Sequence, residues 1–215
     1  MSRTGSLQQI AGRTWCLYTP MAVLPFYHLS EDEVVLMDSG AQRDSTVADC
    51  FAQRGLRVAA VLYTHGHFDH IQGVRDLKNA IRCEICALDI EKELLSDARM
   101  NVSAMTGRPE ELEADIWLHD GQQFESAGIA MKVIHTPGHT KGSCCYFLEE
   151  QKVLFSGDTL FMESVGRADL PTGNEKDLMQ SVREKVLTLP SETKVFSGHG
   201  PSTSIEYEQA NNPYA

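Results

Sequence analysis

Three histidines and an aspartate lie within six positions of this sequence. His65, His67, Asp69 and His70 directly follow an apolar run over residues 58–63. Imidazole and carboxylate groups bind zinc, iron and manganese when several of them converge at about 2.0 to 2.2 Å from the ion. Burying four such groups without a metal would carry a large desolvation cost. The spacing therefore predicts a metal site, with His65 and His67 on one side if strand geometry continues through them.

Three more candidate ligands follow apolar segments later in the chain. His139 lies in the segment TPGHT (136–140), Asp158 in SGDT (156–159) and His199 in GHG (198–200). The recurring arrangement is an apolar strand that ends in a glycine-flanked histidine or aspartate. Because α/β proteins commonly build sites on loops at one edge of a sheet, we expect these residues to meet the first group there.

Strands and helices are both predicted among the elements that would position these residues, and three strands follow one another after residue 128. The predicted strands are 15–18, 34–37, 58–63, 85–87, 129–134, 144–148, 153–156 and 194–197. The predicted helices are 45–53, capped by Ser45, 73–80, 89–97, 174–189 and a short helix from residue 205. Pro25 favours an edge strand or loop over 22–27, and the acidic segment 99–120 favours a long loop or partial helix near the site. Residues 58–63 are apolar on both faces, which is typical of a buried strand in a layered α/β domain.

The overall charge narrows the class of partner. The formal net charge is -11, from 30 acidic against 19 basic residues, which argues against nucleic acid and anionic membranes as partners. The sequence shows no secretory apolar segment at its start and no run of about 18 apolar residues that could span a membrane. We therefore expect a cytoplasmic protein that acts on a small molecule. Its six cysteines, including the Cys83 and Cys86 pair, are expected to be thiols.

The four motifs together resemble the metallo-β-lactamase superfamily over nearly the whole chain. The resemblance implies one domain over residues 1–215 with an α/β fold, a four-layered αββα sandwich carrying a binuclear site at one edge. It implies these ligands: His65, His67 and His139 for one metal, Asp69, His70 and His199 for the other, and Asp158 as the bridge. Two divalent ions are expected, zinc first, with iron or manganese as alternatives. They would activate a bridging hydroxide, and Asp69 would also accept a proton during attack.

Individual positions separate the branches of this superfamily. His67 stands where the diiron flavoprotein oxidases carry Glu, and Asp158 stands where the β-lactamase branch usually has Cys. The RNA-processing branch has an added arm and a basic surface that this sequence lacks. Residues 156–161 and 164–171 resemble the short bacterial members of the glyoxalase II-like group. The reaction expected from that resemblance is hydrolysis of a thioester such as S-lactoylglutathione.

Several functional alternatives stay open at this point. Persulfide dioxygenases are similar in length and motifs but use one iron, and they continue with Phe-Gln where this chain has Leu170-Pro171. A lactonase-type hydrolase and a non-catalytic metal protein are further alternatives. Glyoxalase II itself has an additional C-terminal domain that grips glutathione, whereas 16 residues follow His199 here, so the thiol carrier is left open.

Basic and remaining histidine side chains carry further expectations. Arg167 and Lys141 are candidates to bind a substrate carboxylate. Arg167 could equally form a structural ion pair with Asp169. The three histidines outside the motifs are expected to be hydrogen-bonded residues of the core: His28, His119 and His135.

Overall fold

Two β-sheets, stacked face to face, form the centre of the computed structural model, which describes residues 6–18, 22–40 and 46–215. The first sheet contains β1 (Ser6–Ala11), β2 (Thr14–Tyr18), β3 (Val23–His28), β4 (Glu33–Met37), β5 (Arg57–Leu62), β6 (Glu84–Leu88) and β7 (Ile116–Leu118). Their order in the sheet follows their order in the chain. Strands β1 to β4 pair antiparallel, and β4 to β7 pair parallel.

The second sheet and a small hairpin come from the later part of the chain. The strands here are β8 (Gln123–Ser126), β9 (Ile129–His135), β10 (Cys144–Leu148), β11 (Val153–Gly157), β12 (Leu160–Phe161), β13 (Ser164–Val165), β14 (Lys194–Ser197) and β15 (Thr203–Ser204). The order in the second sheet is β15-β14-β11-β10-β9-β8, and β12 and β13 pair only with each other. Strands β11 and β14 are parallel, which brings their carboxyl ends to the same edge.

Helices cover the outer face of each sheet. They are α1 (Thr46–Ala52), α2 (Phe68–Ile71), α3 (Val74–Ala80), α4 (Lys92–Leu95), α5 (Glu175–Gln180) and α6 (Ile205–Asn211). Phe51 of α1 and Leu77 of α3 pack in one core with the first sheet, and Leu178 of α5 packs in another core with the second sheet. The layers are therefore helix, sheet, sheet, helix, and the expected αββα sandwich is confirmed.

Alternating side chains explain how the sheets fill three separate cores. In β10, Cys144, Tyr146 and Leu148 point into the core between the sheets, whereas Cys145 and Phe147 point to the outer helices. The period of two residues along a strand sends every second side chain to the opposite face. Because both faces are covered, the strand is apolar throughout, as was expected of the buried strands.

The long helix predicted over residues 174–189 is confirmed in position but not in regularity. Asn174 caps it by accepting a hydrogen bond from the backbone N–H of Asp177. The α-helical turns end at Gln180, and the segment Ser181–Val186 continues as a π-helix with Val182 buried. One wider turn shifts the hydrogen-bond pattern without removing the apolar face.

The interpretation of residues 22–27 as an edge strand or loop is wrong. Val23–His28 forms β3, an internal strand between β2 and β4. Pro25 is tolerated because β4 pairs only with residues 26–28 of this strand, so Pro25 lies before the stretch that is bonded on both sides.

Other differences lie in short or weakly patterned segments. Among the described residues, five strands or strand pairs have no sequence prediction, at 6–11, 116–118, 123–126, the 160–165 hairpin and 203–204. The segment 99–120 holds a short 3-10 helix, Ser103–Thr106, and the 89–97 helix is a 3-10 turn followed by α4. The proposed Ser45 cap of α1 lies outside the described residues. Within the described ranges, no helix has the length and apolarity needed to cross a bilayer.

Candidate metal centre

Three imidazole rings converge where β5 leaves the first sheet. The Nε2 atom of His139 lies 3.1 Å from Nε2 of His65 and 2.9 Å from Nδ1 of His67. All three side chains are buried. Two of these residues come from the loop after β5 and the third from the loop after β9. Nitrogen atoms at this separation can share one ion at about 2.0 to 2.1 Å.

A second group of ligating atoms lies beside the first. Nε2 of His199 is 3.2 Å from Oδ2 of Asp69 and 3.4 Å from Nε2 of His70. Asp69 and His70 belong to α2, and His199 follows β14. This group is more open, since the side chain of His199 is 33% exposed and that of Asp69 is 20% exposed. A ligand or water can therefore approach from this side.

The Asp158 carboxylate lies between the two groups. Its Oδ1 is 3.4 Å from Nε2 of His70, and its Oδ2 is 3.6 Å from Nε2 of His139 and 3.5 Å from Nε2 of His199. Oδ1 is buried and accepts no hydrogen bond within the described part of the chain. A buried carboxylate oxygen without a partner is costly. The orphaned oxygen and the facing ring nitrogens fit a site for divalent cations.

Burial and mutual repulsion keep the first group of histidines neutral. Desolvation, together with the neighbouring imidazoles, lowers the pKa of His65 well below its usual value and lowers the pKa of His67 to about 3. Desolvation also lowers the pKa of His139. Neutral imidazole is the form that binds a metal ion, so these three rings present lone pairs rather than protons.

The carboxylates make the second group favourable for positive charge. Burial would lower the pKa of His70, but Asp38, Asp158 and Asp69 raise it well above its usual value. Burial would raise the pKa of Asp158, and the facing histidines hold it below its usual value instead. The same field that favours a proton on His70 favours a cation at that point.

Asp38 orients one histidine of each group. Its Oδ2 accepts a hydrogen bond from Nδ1 of His70 at 2.8 Å and one from Oγ1 of Thr64 at 2.9 Å. Thr64 Oγ1 in turn lies 3.1 Å from Nδ1 of His65, from which it accepts. Both rings thereby donate through Nδ1, so Nε2 is the nitrogen that each would offer to a metal. At His70 the metal would take the place of the proton that the carboxylates favour. His139 is fixed in the same way, because its Nδ1 donates to the Arg167 carbonyl at 2.7 Å.

Two supporting residues carry no recognisable sequence motif of a metal site: Asp38, and Glu91, whose buried carboxylate contacts two of the ligand-bearing loops. Asp38 stands in an Asp-Ser-Gly segment that reads as a turn signal, and its φ of +59° agrees with a turn. The one available signal was that a buried strand, β4, runs straight into an acidic residue, as the ligand-bearing strands do. Glu91 gave no such signal, since it lies in a polar helical stretch.

The candidate substrate residues lie at the surface beside the centre. The guanidinium of Arg167 makes a bidentate pair with Asp169, with Nε to Oδ1 at 2.7 Å and a terminal nitrogen to Oδ2 at 2.8 Å. Both side chains are largely exposed. Lys141 is also exposed, and its carbonyl accepts from His135. The ion pair with Asp169, one of the two roles expected of Arg167, is present. Contact with a substrate stays a prediction for Arg167 and for Lys141.

The remaining histidines are hydrogen-bonded but do not belong to the core, so that part of the prediction is wrong. His119 is largely exposed and contacts Asp89, while His28 and His135 are half-buried. Each lies at the end of a strand or directly after one. All six cysteines are free, and burial raises the pKa of Cys83 to about 11 and that of Cys86 to about 12. These raised pKa values keep both thiols in the protonated form at neutral pH.

Comparison with known proteins identifies the family. The sequence profile of the metallo-beta-lactamase superfamily matches residues 25–199. The chain belongs to this superfamily. It is 33% identical to the probable metallo-hydrolase YqgX of Bacillus subtilis over 91% of this chain and 93% of that protein. It is 29% identical to the hydroxyacylglutathione hydrolase GloC of Haemophilus influenzae, over 86% of this chain and 88% of that protein.

Solved structures agree in fold with this superfamily. The B3 metallo-beta-lactamase BLEG-1 has a TM-score of 0.85 at 34% identity, covering 91% of this chain and 95% of its own. A di-iron-bound form of TTHA1623 has a TM-score of 0.80 at 31% identity, covering 92% of this chain and 98% of its own. The chain is therefore a metallo-hydrolase of this superfamily with a histidine-rich site suited to divalent metals.

Proposed function

We propose that the protein is a binuclear hydrolase of small acyl thioesters, resembling glyoxalase II. The observation that carries the proposal is the position of Asp158 between two groups of ligating atoms. A carboxylate so placed can serve two ions at once. The similarity to the hydroxyacylglutathione hydrolase GloC supports the thioester class. The net charge of -11 supports a small-molecule substrate over nucleic acid or an anionic membrane. A cytoplasmic location is part of the same proposal.

The proposed ligand assignment follows the two groups of atoms. His65, His67 and His139 would hold one ion, Asp69, His70 and His199 would hold the other, and Asp158 would take part in both. Two divalent cations held there would supply an acidified water and polarise the substrate carbonyl. Zinc is proposed as the metal, and iron and manganese suit the same nitrogen and oxygen ligands. The di-iron form of TTHA1623 supports iron as the second choice.

Asp69 is proposed to hold the proton released during attack. Burial would raise its pKa, but His70 and His199 keep it below its usual value, so the carboxylate is ionised and able to accept. It lies on the more open side of the centre, within reach of an approaching substrate. We expect Asp69→Asn to lower kcat about 10²- to 10⁴-fold in the metal-loaded enzyme. Asp76→Asn, which changes a carboxylate paired with Arg108 away from the centre, is the matched control.

A substrate panel tests the reaction class. The zinc-, iron- and manganese-loaded proteins would each be assayed with S-lactoylglutathione, a small lactone and a β-lactam. We expect thiol release from the thioester, and turnover of the lactone or β-lactam alone would contradict the thioester assignment. The β-lactam is included because BLEG-1 is a metallo-beta-lactamase.

The persulfide dioxygenase alternative needs a separate measurement. The iron-loaded protein would be given glutathione persulfide while oxygen is monitored. The decisive result would be oxygen uptake by a protein that carries one iron per chain and leaves all thioesters intact. The protein would then be a persulfide dioxygenase, and the binuclear hydrolase assignment would be wrong.

A further inference from the structure

Glu91 is a buried carboxylate that touches both loops of the first histidine group. It follows β6 in a 3-10 turn and is 1% exposed. Its Oε1 accepts from the Gly66 backbone N–H at 2.8 Å and from Thr140 Oγ1 at 2.8 Å, and its Oε2 accepts from the Gly142 N–H at 2.8 Å. All three donors lie in the two loops that carry the converging histidines.

These donors belong to residues next to the candidate ligands. Gly66 separates His65 from His67, and Thr140 directly follows His139. The loop after β5 comes from the first sheet and the loop after β9 from the second. A single carboxylate therefore fixes the distance between two loops that come from different sheets.

Close packing leaves this link little freedom. A Cβ at Gly142 would come 2.5 Å from Oε2 and from the backbone nitrogen of Glu91. A Cβ at Gly66 would come 2.5 Å from Leu94 and 2.9 Å from Leu95, which follow Glu91 in the chain. Glycine at both positions lets each backbone N–H reach the carboxylate.

The polar groups around Glu91 form a consistent chain of donors. Thr140 N–H donates to Ser143 Oγ at 3.0 Å, and the two hydroxyls are 2.7 Å apart. Ser143 O–H can donate to Thr140 Oγ1, which leaves the Thr140 proton for Glu91. The carboxylate thus receives three hydrogen bonds and donates none, an arrangement that an amide cannot reproduce.

We propose that Glu91 is a positioning residue that sets the spacing of His65, His67 and His139 and thereby the affinity of the first group for a metal ion. The inference rests on the proposed role of these histidines as ligands. Glu91 contacts none of their ring nitrogens, so it acts through the backbone of their loops. Outer groups that fix metal ligands typically contribute 10- to 100-fold to metal affinity.

The main test is Glu91→Gln, which keeps the shape but places an amide N–H₂ against one of the donors. We expect it to weaken zinc binding to the metal-free protein about 10- to 100-fold, measured by competition with a chromophoric chelator. Circular dichroism melting of the metal-free proteins reports the loss of stability separately. Glu110→Gln is the matched control, because Glu110 is 2% exposed and pairs with Arg75 rather than with a ligand loop. The control should melt lower than the natural protein yet bind zinc equally well.

A second variant leaves Glu91 itself unchanged. Gly142→Ala should push the carboxylate away from the loop after β9 and weaken zinc binding in the same direction, even if Glu91→Gln fails to fold. Zinc affinity equal to that of the natural protein in a folded Glu91→Gln or Gly142→Ala variant would overturn the inference. If the natural protein binds zinc but hydrolyses no member of the substrate panel, the proposed function fails while the inference stands. A natural protein that binds no divalent metal would overturn both.

Discussion

Replacing Asp38 by Asn should reverse the proton positions on two histidines of the centre. Asn tolerates the left-handed backbone at this site, where φ is +59°, so the turn itself is retained. If the remaining oxygen stays with the Thr64 N–H, which donates to Oδ1 at 2.8 Å, the new amide faces Thr64 Oγ1 and His70 Nδ1. The amide donates where the carboxylate accepted. His70 is then protonated at Nε2, the atom that faces Asp69, Asp158 and His199.

The size of the effect follows from the hydrogen bonds that metal binding would have to break. Returning the proton of His70 to Nδ1 leaves two donors facing each other in a buried place, and an unsatisfied buried group costs about 1 to 3 kcal/mol. At 1.4 kcal/mol for each factor of ten, this corresponds to about a 5- to 140-fold loss of affinity. The effect reaches His65 as well, because Thr64 Oγ1 now donates to its Nδ1.

Competitive zinc titration of three variants separates this effect from general damage. Asp38→Asn should lower the affinity for zinc at both groups of ligands. Thr64→Val removes the hydroxyl that contacts His65 Nδ1 and should lower the affinity at the first group alone. Asp115→Asn is the control, since Asp115 accepts a hydrogen bond from the Ile85 N–H and lies outside the centre. If Asp38→Asn binds two ions with unchanged affinity, Asp38 does not set the proton positions of the ligands and the reasoning is refuted.

Three further predictions concern the centre as a whole. Asp158→Ala should reduce the metal content measured by elemental analysis from two ions per chain to one or fewer, because the carboxylate faces both groups of ligands. A variant that retains both ions would show that Asp158 does not bridge them. Gly198→Ala should lower kcat about 10-fold or more in a folded protein, because displaced ligating groups lose their productive geometry. The new Cβ would come 2.6 Å from the His70 ring and 2.7 Å from Asp158 Oδ1, and full activity would contradict that crowding. Zinc added at 1,000 times its Kd should raise the free energy of unfolding by about 4 kcal/mol, seen as a higher Tm that a chelator reverses, whereas an unchanged Tm would argue against binding to the folded chain.

The histidines and aspartates of the centre could be predicted because their signals are local. His65, His67 and His70 lie within six residues, and Asp158 and His199 each follow a strong apolar strand, so short windows of sequence contain the pattern. The buried strands were predictable for the same reason, since continuous apolar runs of four to six residues mark strands covered on both faces.

The supporting residues could not be predicted because their partners are remote in the chain. Asp38 is 32 residues from His70, and Glu91 is 25 residues from Gly66 and 51 from Gly142. Each lies in a segment whose local pattern has an ordinary explanation, a turn in one case and a polar helix in the other. Their burial is a property of the assembled sheets, and no window of sequence contains it. The π-helical turn after α5 is missed likewise, since it keeps the apolar residues on the same face.

The geometry of the histidine-rich stretch depends on strands that carry no ligand. From β10, the backbone N–H of Cys144 donates to the Thr64 carbonyl at 2.8 Å, and the hydroxyl of Tyr146 donates to the Tyr63 carbonyl at 2.7 Å. These bonds attach the loop after β5 to the second sheet just before its first histidine. The loop therefore lies beside His139, Asp158 and His199 where the two sheets pack over their shared core. Neither sheet carries a full set of ligands by itself. The centre therefore depends on the whole sandwich, although the six-residue motif is what first indicates it.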